Sequence, residues 1–196
     1  LSAQPVPDDI AESVLGRELR AGGSFQGEER FDLRDLGLVT SVKDQVISGT
    51  CWAFAEIAMA ESSMLRAGAA GDPDLSEEHL SYFFYNRADD PLGNTPADKN
   101  VINWSGYDYK NIGGNPQLAS KFLSTWSGAA GEETAPYSSA AGALDPSLAY
   151  VSDTHLQEAF FVDASVAEIK EALYTMQRPV GVNYFHSRSH YNADTA

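Results

Sequence analysis

Apolar positions recur at helical spacing through the first two thirds of the chain, and strand-like alternation enters only near its end. The segment Cys51–Arg66, CWAFAEIAMAESSMLR, consists largely of good helix formers, and Gly68 stands just beyond it as a stop. Trp52, Phe54, Ile57, Ala58 and Met59 leave its first half little polar surface, which predicts burial. A second helix is expected after Ser76, a good N-cap. Glu77 and Glu78 suit the positive end of its dipole, and Leu80, Phe83 and Phe84 point to the core. Asn115-Pro116, a cap followed by a first-turn proline, opens a third helix that should run to about Trp126, before Gly128. A fourth begins at Ser165 with Glu168 placed for a capping box; it carries Val166, Ile169 and Leu173 and closes before Pro179. Residues 179–185, PVGVNYF, then alternate like a strand entering a sheet. The expected class is α+β: a helical half built on a central helix that carries Cys51, followed by the start of a β-rich half.

Two segments stand apart from this pattern. Residues 1–30 are polar and rich in Gly, Pro and acid, with one weak helical stretch around Ile10–Leu19, and AGGSFQGEER reads as a linker. The globular body is expected to begin near Phe31, so 1–30 reads as an N-terminal extension or a propeptide remnant, and 31–196 as the domain. Residues 87–111 read as an inserted loop, with prolines, glycines and no apolar period. Its Asp89, Asp90, Asp98 and Asp108 offer carboxylates for Ca²⁺, but their spacing fits no calcium-loop pattern and a solvated loop is the plainer reading.

Composition narrows the function classes. The 196 residues are 43% hydrophobic and 11% aromatic, enough for a core, which excludes a disordered tail, a coiled coil and a collagen-like fibre. With 13 Lys and Arg against 28 Asp and Glu, the formal charge of −15 repels phosphate backbones and anionic lipid, so neither nucleic acid nor membrane insertion is expected. No stretch approaches the ~20 apolar residues of a membrane span, and no signal peptide is visible at the start of the numbering. The single cysteine, Cys51, excludes an intrachain disulfide and raises the question of what its thiol is for.

Cys51 falls at the first turn of a buried helix, behind the flexible pair Gly49-Thr50. A sulfur there meets unpaired backbone N–H groups and the positive end of the helix dipole, the setting that stabilises a thiolate. Gln45, six residues earlier, carries a neutral N–H₂ donor that a folded-back loop can bring beside the sulfur to stabilise a developing oxyanion. On residue types alone a lone cysteine is more commonly a small buried hydrophobe, and both readings stand at this point.

The string Gln45-Val46-Ile47-Ser48-Gly49-Thr50-Cys51-Trp52-Ala53-Phe54 resembles the active-site segment of the papain-like cysteine proteases. Phe31–Asp35 and Val39–Asp44 are similar to the family's mature start, and Leu75–Leu80 to its "LSEQ-L" helix. Gly113-Gly114-Asn115-Pro116 resembles the Gly-Gly segment whose backbone pairs with substrate. Glu132–Tyr137 resembles the "-E--YPY" turn, and Arg178–Val182 the "GPVSV" strand. The matches keep family order from residue 31 to about 185. The turn Trp126-Ser127-Gly128 and the 87–111 insertion look most like bacterial cell-surface members. The resemblance implies a secreted or surface-attached endopeptidase that hydrolyses peptide bonds through an acyl-enzyme. Cys51 would be the nucleophile, Gln45 and the Cys51 backbone N–H the oxyanion donors, and Gly113 and Gly114 the substrate-binding backbone. It implies no cofactor and no metal, a peptide or protein substrate, and a possible propeptide over the cleft. One departure is plain: where many members hold a cysteine pair, this chain has Ser48 and Asn111.

A cysteine protease also needs a histidine base and a group to orient it. His79 is expected as a surface or first-turn residue of its helix, His155 as the start of a strand-like stretch, and His186 and His190 as loop residues without the apolar strand that follows the family's base. The base is therefore expected beyond Ala196, and the domain is expected to be incomplete on that side. The rival reading is a catalytically inactive homologue that serves as a binding or adhesion module. A redox-sensing thiol protein is weaker still, because the chain has no resolving cysteine.

Overall fold

The computed structural model describes residues 27, 29–86 and 108–184. Four α-helices organise them: α1 (Cys51–Arg66), α2 (Glu77–Tyr85), α3 (Pro116–Leu123) and α4 (Val166–Met176), with short 3-10 turns at Leu33–Leu36 and Pro146–Tyr150. The helix starts follow their caps. The Ser76 hydroxyl accepts from the His79 N–H at 2.8 Å, and Asn115 Oδ1 accepts from the N–H groups of Gln117 and Leu118 at 2.9 and 3.2 Å. Ser165 Oγ accepts from the Glu168 N–H at 3.1 Å, but the expected box is only half made, since the Ser165 N–H goes to the Asp163 carbonyl at 2.8 Å.

Helices α1, α2 and α3 pack on one another. Their shared core joins Trp52, Ala53 and Ile57 to Leu80, Phe83 and Phe84 and to Ala119, Phe122 and Leu123. Trp52 and Phe84 meet at a tilt, 4.7 Å between ring centroids, inside this core. Phe31 meets Tyr174 of α4 edge-on at 5.2 Å, so the segment expected to begin the body already touches it.

Several expectations need correction. Helix α3 stops at Leu123 rather than near Trp126, because the Thr125 N–H closes on the Phe122 carbonyl three residues back and a tight turn follows. Gly128 closes that turn at φ +51, where a Cβ would lie 2.5 Å from the Thr154 carbonyl oxygen. Among the described residues there is no strand, only the isolated bridges Leu75–Gly131 and Ala129–Thr154, and residues 179–184 form no strand. The β-rich start is thus not seen in the described part, which is mostly helical. The end of the supposed solvated loop is core, with Tyr109 3% and Lys110 1% exposed. Asp108 spends its carboxylate on the Lys110 N–H and the Asn111 side-chain amide. Asp89, Asp90 and Asp98, the Ile10–Leu19 stretch and both loop histidines, His186 and His190, lie outside the described residues.

His79 stands in the first turn of α2, one of the two expected places, but not at the surface. It is fully buried, with Nε2 on the Leu148 carbonyl at 2.9 Å and its ring against Phe83, and burial lowers its pKa in spite of that bond. Eight of the nine residues of α2 are buried, so the helix has almost no surface on which a polar side chain could sit.

Candidate active site

Cys51 is the first residue of α1 and its thiol is exposed, although Trp52 and Ala53 directly after it are core. The N-cap residue, Thr50, accepts through its carbonyl from the N–H groups of Ala53 at 2.8 Å and Phe54 at 3.2 Å, but its hydroxyl makes no capping bond. That hydroxyl turns instead to Ser48 Oγ and Tyr137 Oη, each at 2.8 Å. The positive end of α1 is therefore left without a side-chain cap where the sulfur sits.

The loop ahead of Cys51 is tied to itself. Gln45 Nε2 donates to the Ser48 carbonyl at 2.9 Å, while the Gln45 carbonyl accepts from Ser48 Oγ at 3.0 Å and from Tyr137 Oη at 3.1 Å. The second N–H of the Gln45 amide has no partner among the described residues, so it is a free donor in the loop that leads to the thiol. Val46 closes the turn at φ +58, its N–H held by Asp44 Oδ1 at 2.7 Å. A β-branched side chain in that region is strained, and residue types alone did not expose it.

A buried polar hub anchors this loop. Ser48 Oγ also hydrogen-bonds Tyr137 Oη, whose ring lies 4.1 Å from Lys110 Nζ. Lys110 pairs with Glu78, which further accepts from the Tyr109 hydroxyl and, at 3.2 Å, from the Ser138 N–H. Burial and the Glu78 bond push the Tyr109 hydroxyl above its ordinary range. On the other side of the loop, Lys43 binds Asp74 at 2.7 Å, Glu61 at 2.8 Å and Glu77 at 3.1 Å. Burial pulls the Lys43 ammonium down, but the bonds to Asp74 and Glu61 and the charge of Glu77 outweigh it and hold it above its usual value. Burial pushes the Glu77 carboxyl up to about 7 against the pull of Lys43. None of these buried carboxylates was marked by the sequence pattern, which placed Glu77 and Glu78 at the helix start only for its dipole.

The Gly-Gly segment reaches the same place. The Gly49 N–H donates to the Lys110 carbonyl at 2.6 Å, joining the cysteine loop to residues 108–114. Gly113 adopts φ +85 with open space around its missing side chain, and its carbonyl accepts from the Tyr85 hydroxyl. Gly114 presses on the indole of Trp52, where a Cβ would lie 1.9 Å from Cδ2. Cys51, Gln45, Gly113 and Gly114 thus share one neighbourhood. Of the described histidines, His79 is sealed in the core. His155 has Nδ1 2.8 Å from the Thr125 carbonyl oxygen and Nε2 3.1 Å from Ser152 Oγ, so both of its ring nitrogens are engaged. No group of His, Cys, Asp and Glu suited to a metal ion occurs among the described residues.

The arrangement is a papain-like fold. Its helices align with the cysteine protease and lectin-like domains of Cwp84, a surface layer associated protein of Clostridium difficile, at a TM-score of 0.51 and 24% identity over 78% of this chain and 31% of that one. Residues 27–82, the stretch that bears Gln45 and Cys51, match the family described as papain family cysteine protease. Over 58 residues, 30% of this chain and 18% of the relative, it is 43% identical to Peptidase 1 of Psoroptes ovis. Over 42 residues, 21% of this chain and 12% of the relative, it is 52% identical to the viral cathepsin of Spodoptera litura multicapsid nucleopolyhedrovirus. The chain therefore spans less than a fifth of the length of these curated relatives.

Proposed function

We propose that the protein is a cysteine endopeptidase and that the described residues carry its nucleophile and the substrate-facing backbone. The observation that carries the reading is an exposed cysteine as the first residue of a helix start that has no side-chain cap and buries Trp52 and Ala53 directly after it. The Cys51 thiolate attacks the scissile carbonyl carbon, and the free N–H of Gln45 with the Cys51 backbone N–H receives the oxyanion. The carbon–nitrogen bond then breaks, the amine leaves with a proton from the general acid, and water releases the acyl group from sulfur. Gly113 and Gly114, lacking side chains, leave their peptide groups open to an extended peptide. The general base is assigned neither to His79, which is sealed in the core, nor to His155, whose two ring nitrogens are both engaged. A secreted or surface-attached setting belongs to the same proposal and rests on the resemblance alone.

The test is hydrolysis of an unstructured, fluorogenically labelled protein by the full-length protein, with Cys51→Ala and Gln45→Ala beside it. Loss of all turnover in Cys51→Ala and a drop of about 10²–10³ in kcat for Gln45→Ala are expected. Intact Cys51 protein that takes up an alkylating agent at Cys51 yet cleaves nothing would favour a binding module that kept the fold.

A further inference from the structure

One stripe of α1 has no part in the chemistry at Cys51. Glu56, Met59, Ala60, Ser63 and Met64 recur at helical spacing along a groove of about 530 Å³. Leu123 of α3, Phe160 from the segment after α3, and Met176 of α4 close its other side, so the walls are mainly apolar. Pro116 lines it too, two residues beyond Gly114, which brings one end of the groove to the Gly-Gly segment.

Glu56 breaks the apolar lining. It is only 7% exposed, and its carboxylate makes no hydrogen bond or ion pair with any other described residue. Burial alone pushes the carboxyl up to about 7; the groove's other charged or titratable side chains, Arg178, Glu158 and His155, contribute nothing to offset it. A buried carboxylate without a partner is unfavourable and is relieved by a cation that brings its own N–H donors.

We propose that this groove receives the basic side chain, lysine or arginine, of a peptide laid along Gly113–Gly114, with the Glu56 carboxylate taking its charged head. The inference rests on the peptidase reading for the peptide's path. The methylene stem of a basic side chain matches the apolar wall, and the thioethers of Met59, Met64 and Met176 adapt to its shape. A leucine in its place would leave Glu56 unpaired, and an acidic residue would be repelled. The chain's formal charge of −15 draws basic peptides in the same direction.

Cleavage and occupancy are separated by working in full-length Cys51→Ala protein, where bound peptide stays intact. Labelled peptides that differ only in carrying Arg, Leu or Glu at one position, scanned along the peptide, are titrated by fluorescence anisotropy. At one position the Arg peptide is expected to bind about tenfold or more tightly than the Leu peptide, and Glu56→Gln to erase the difference. Without any variant, Arg binding should strengthen from about pH 6 to about pH 8 as the carboxyl ionises, while Leu binding stays flat. Equal affinities at every position, or a preference that survives Glu56→Gln, overturn the proposal. An Arg preference in binding with no turnover by intact Cys51 protein keeps the groove and removes the peptidase reading; turnover without that preference does the reverse.

Discussion

Gly114 touches Trp52 so closely that a single added carbon would sit 1.9 Å from Cδ2 of the indole and 2.3 Å from Cε2 and Cγ. Trp52 follows Cys51 and is itself core, so the backbone proposed to hold substrate is set against the helix that presents the thiol. Neither side of that contact can move without the other.

Gly114→Ala should therefore displace the indole or the Gly-Gly segment and destabilise the protein by about 1–3 kcal/mol, as overpacking does. Gly142, where a Cβ meets nothing within 4 Å, is the matched control. Thermal unfolding of the two alanine variants checks this: a Gly114→Ala midpoint no lower than that of Gly142→Ala would contradict the contact.

The hydroxyl cluster of Ser48, Thr50 and Tyr137 should act as a unit. Ser48→Ala and Tyr137→Phe each remove one partner of a shared bond, at a cost of about 1 kcal/mol or more where the remaining hydroxyl stays buried. The double variant should lose less than the sum, with a coupling of about 0.5–3 kcal/mol measured by urea unfolding. Additive losses would mean that the two hydroxyls are independent.

The buried pair of Glu78 and Lys110 makes a sharper forecast. Lys110→Met leaves the carboxylate buried without its cation and should cost about 3–5 kcal/mol. Replacing both residues with apolar ones of similar volume should recover part of that loss, though the Ser138 N–H would still lack its acceptor and the Tyr109 hydroxyl would keep only the Gly142 carbonyl at 3.2 Å. Chemical denaturation of the three variants distinguishes the outcomes, and a Lys110→Met variant as stable as the parent would rule the pair out as an anchor.

Glu56 makes stability depend on pH. Its carboxyl ionises at an ordinary 4.5 in the unfolded chain and near 7 when folded, so the folded form holds its proton more tightly. Stability from this group is complete below about 4.5 and is lost as pH rises through about 7. The shift corresponds to a loss on the order of 3 kcal/mol. Glu56→Gln should gain stability relative to the parent at pH 8 and show no such gain at pH 4, followed by the thermal midpoint across that range. A gain that is the same at both ends would assign the effect to packing instead.

Local signals were legible where one residue decides the outcome. Ser76, Asn115 and Ser165 each cap the helix they were read to begin, because a cap is an interaction within three residues. Cys51 likewise stands at the helix start that the Gln45–Phe54 string implied. His79 and the buried acids were not legible, since their environments come from distant segments: Leu148 lies beneath His79, Lys43 meets Glu61 and Glu77, and Lys110 meets Glu78. The strand expected at 179–185 rested on alternation and on a motif likeness at Arg178–Val182, which specify a face but supply no neighbour to pair with. The requirement for glycine at 114 has the same character, because its cause is a tryptophan 62 positions away in sequence.

The fastening of the cysteine loop consists of oxygen and nitrogen contacts: the Gly49 amide on the Lys110 carbonyl, and the Ser48 hydroxyl among its neighbours. No sulfur takes part in holding it. A thiol reductant strong enough to keep Cys51 free of mixed disulfides consequently leaves these struts of the loop in place, so the thiol can be protected under conditions that would unfasten a loop held by a disulfide.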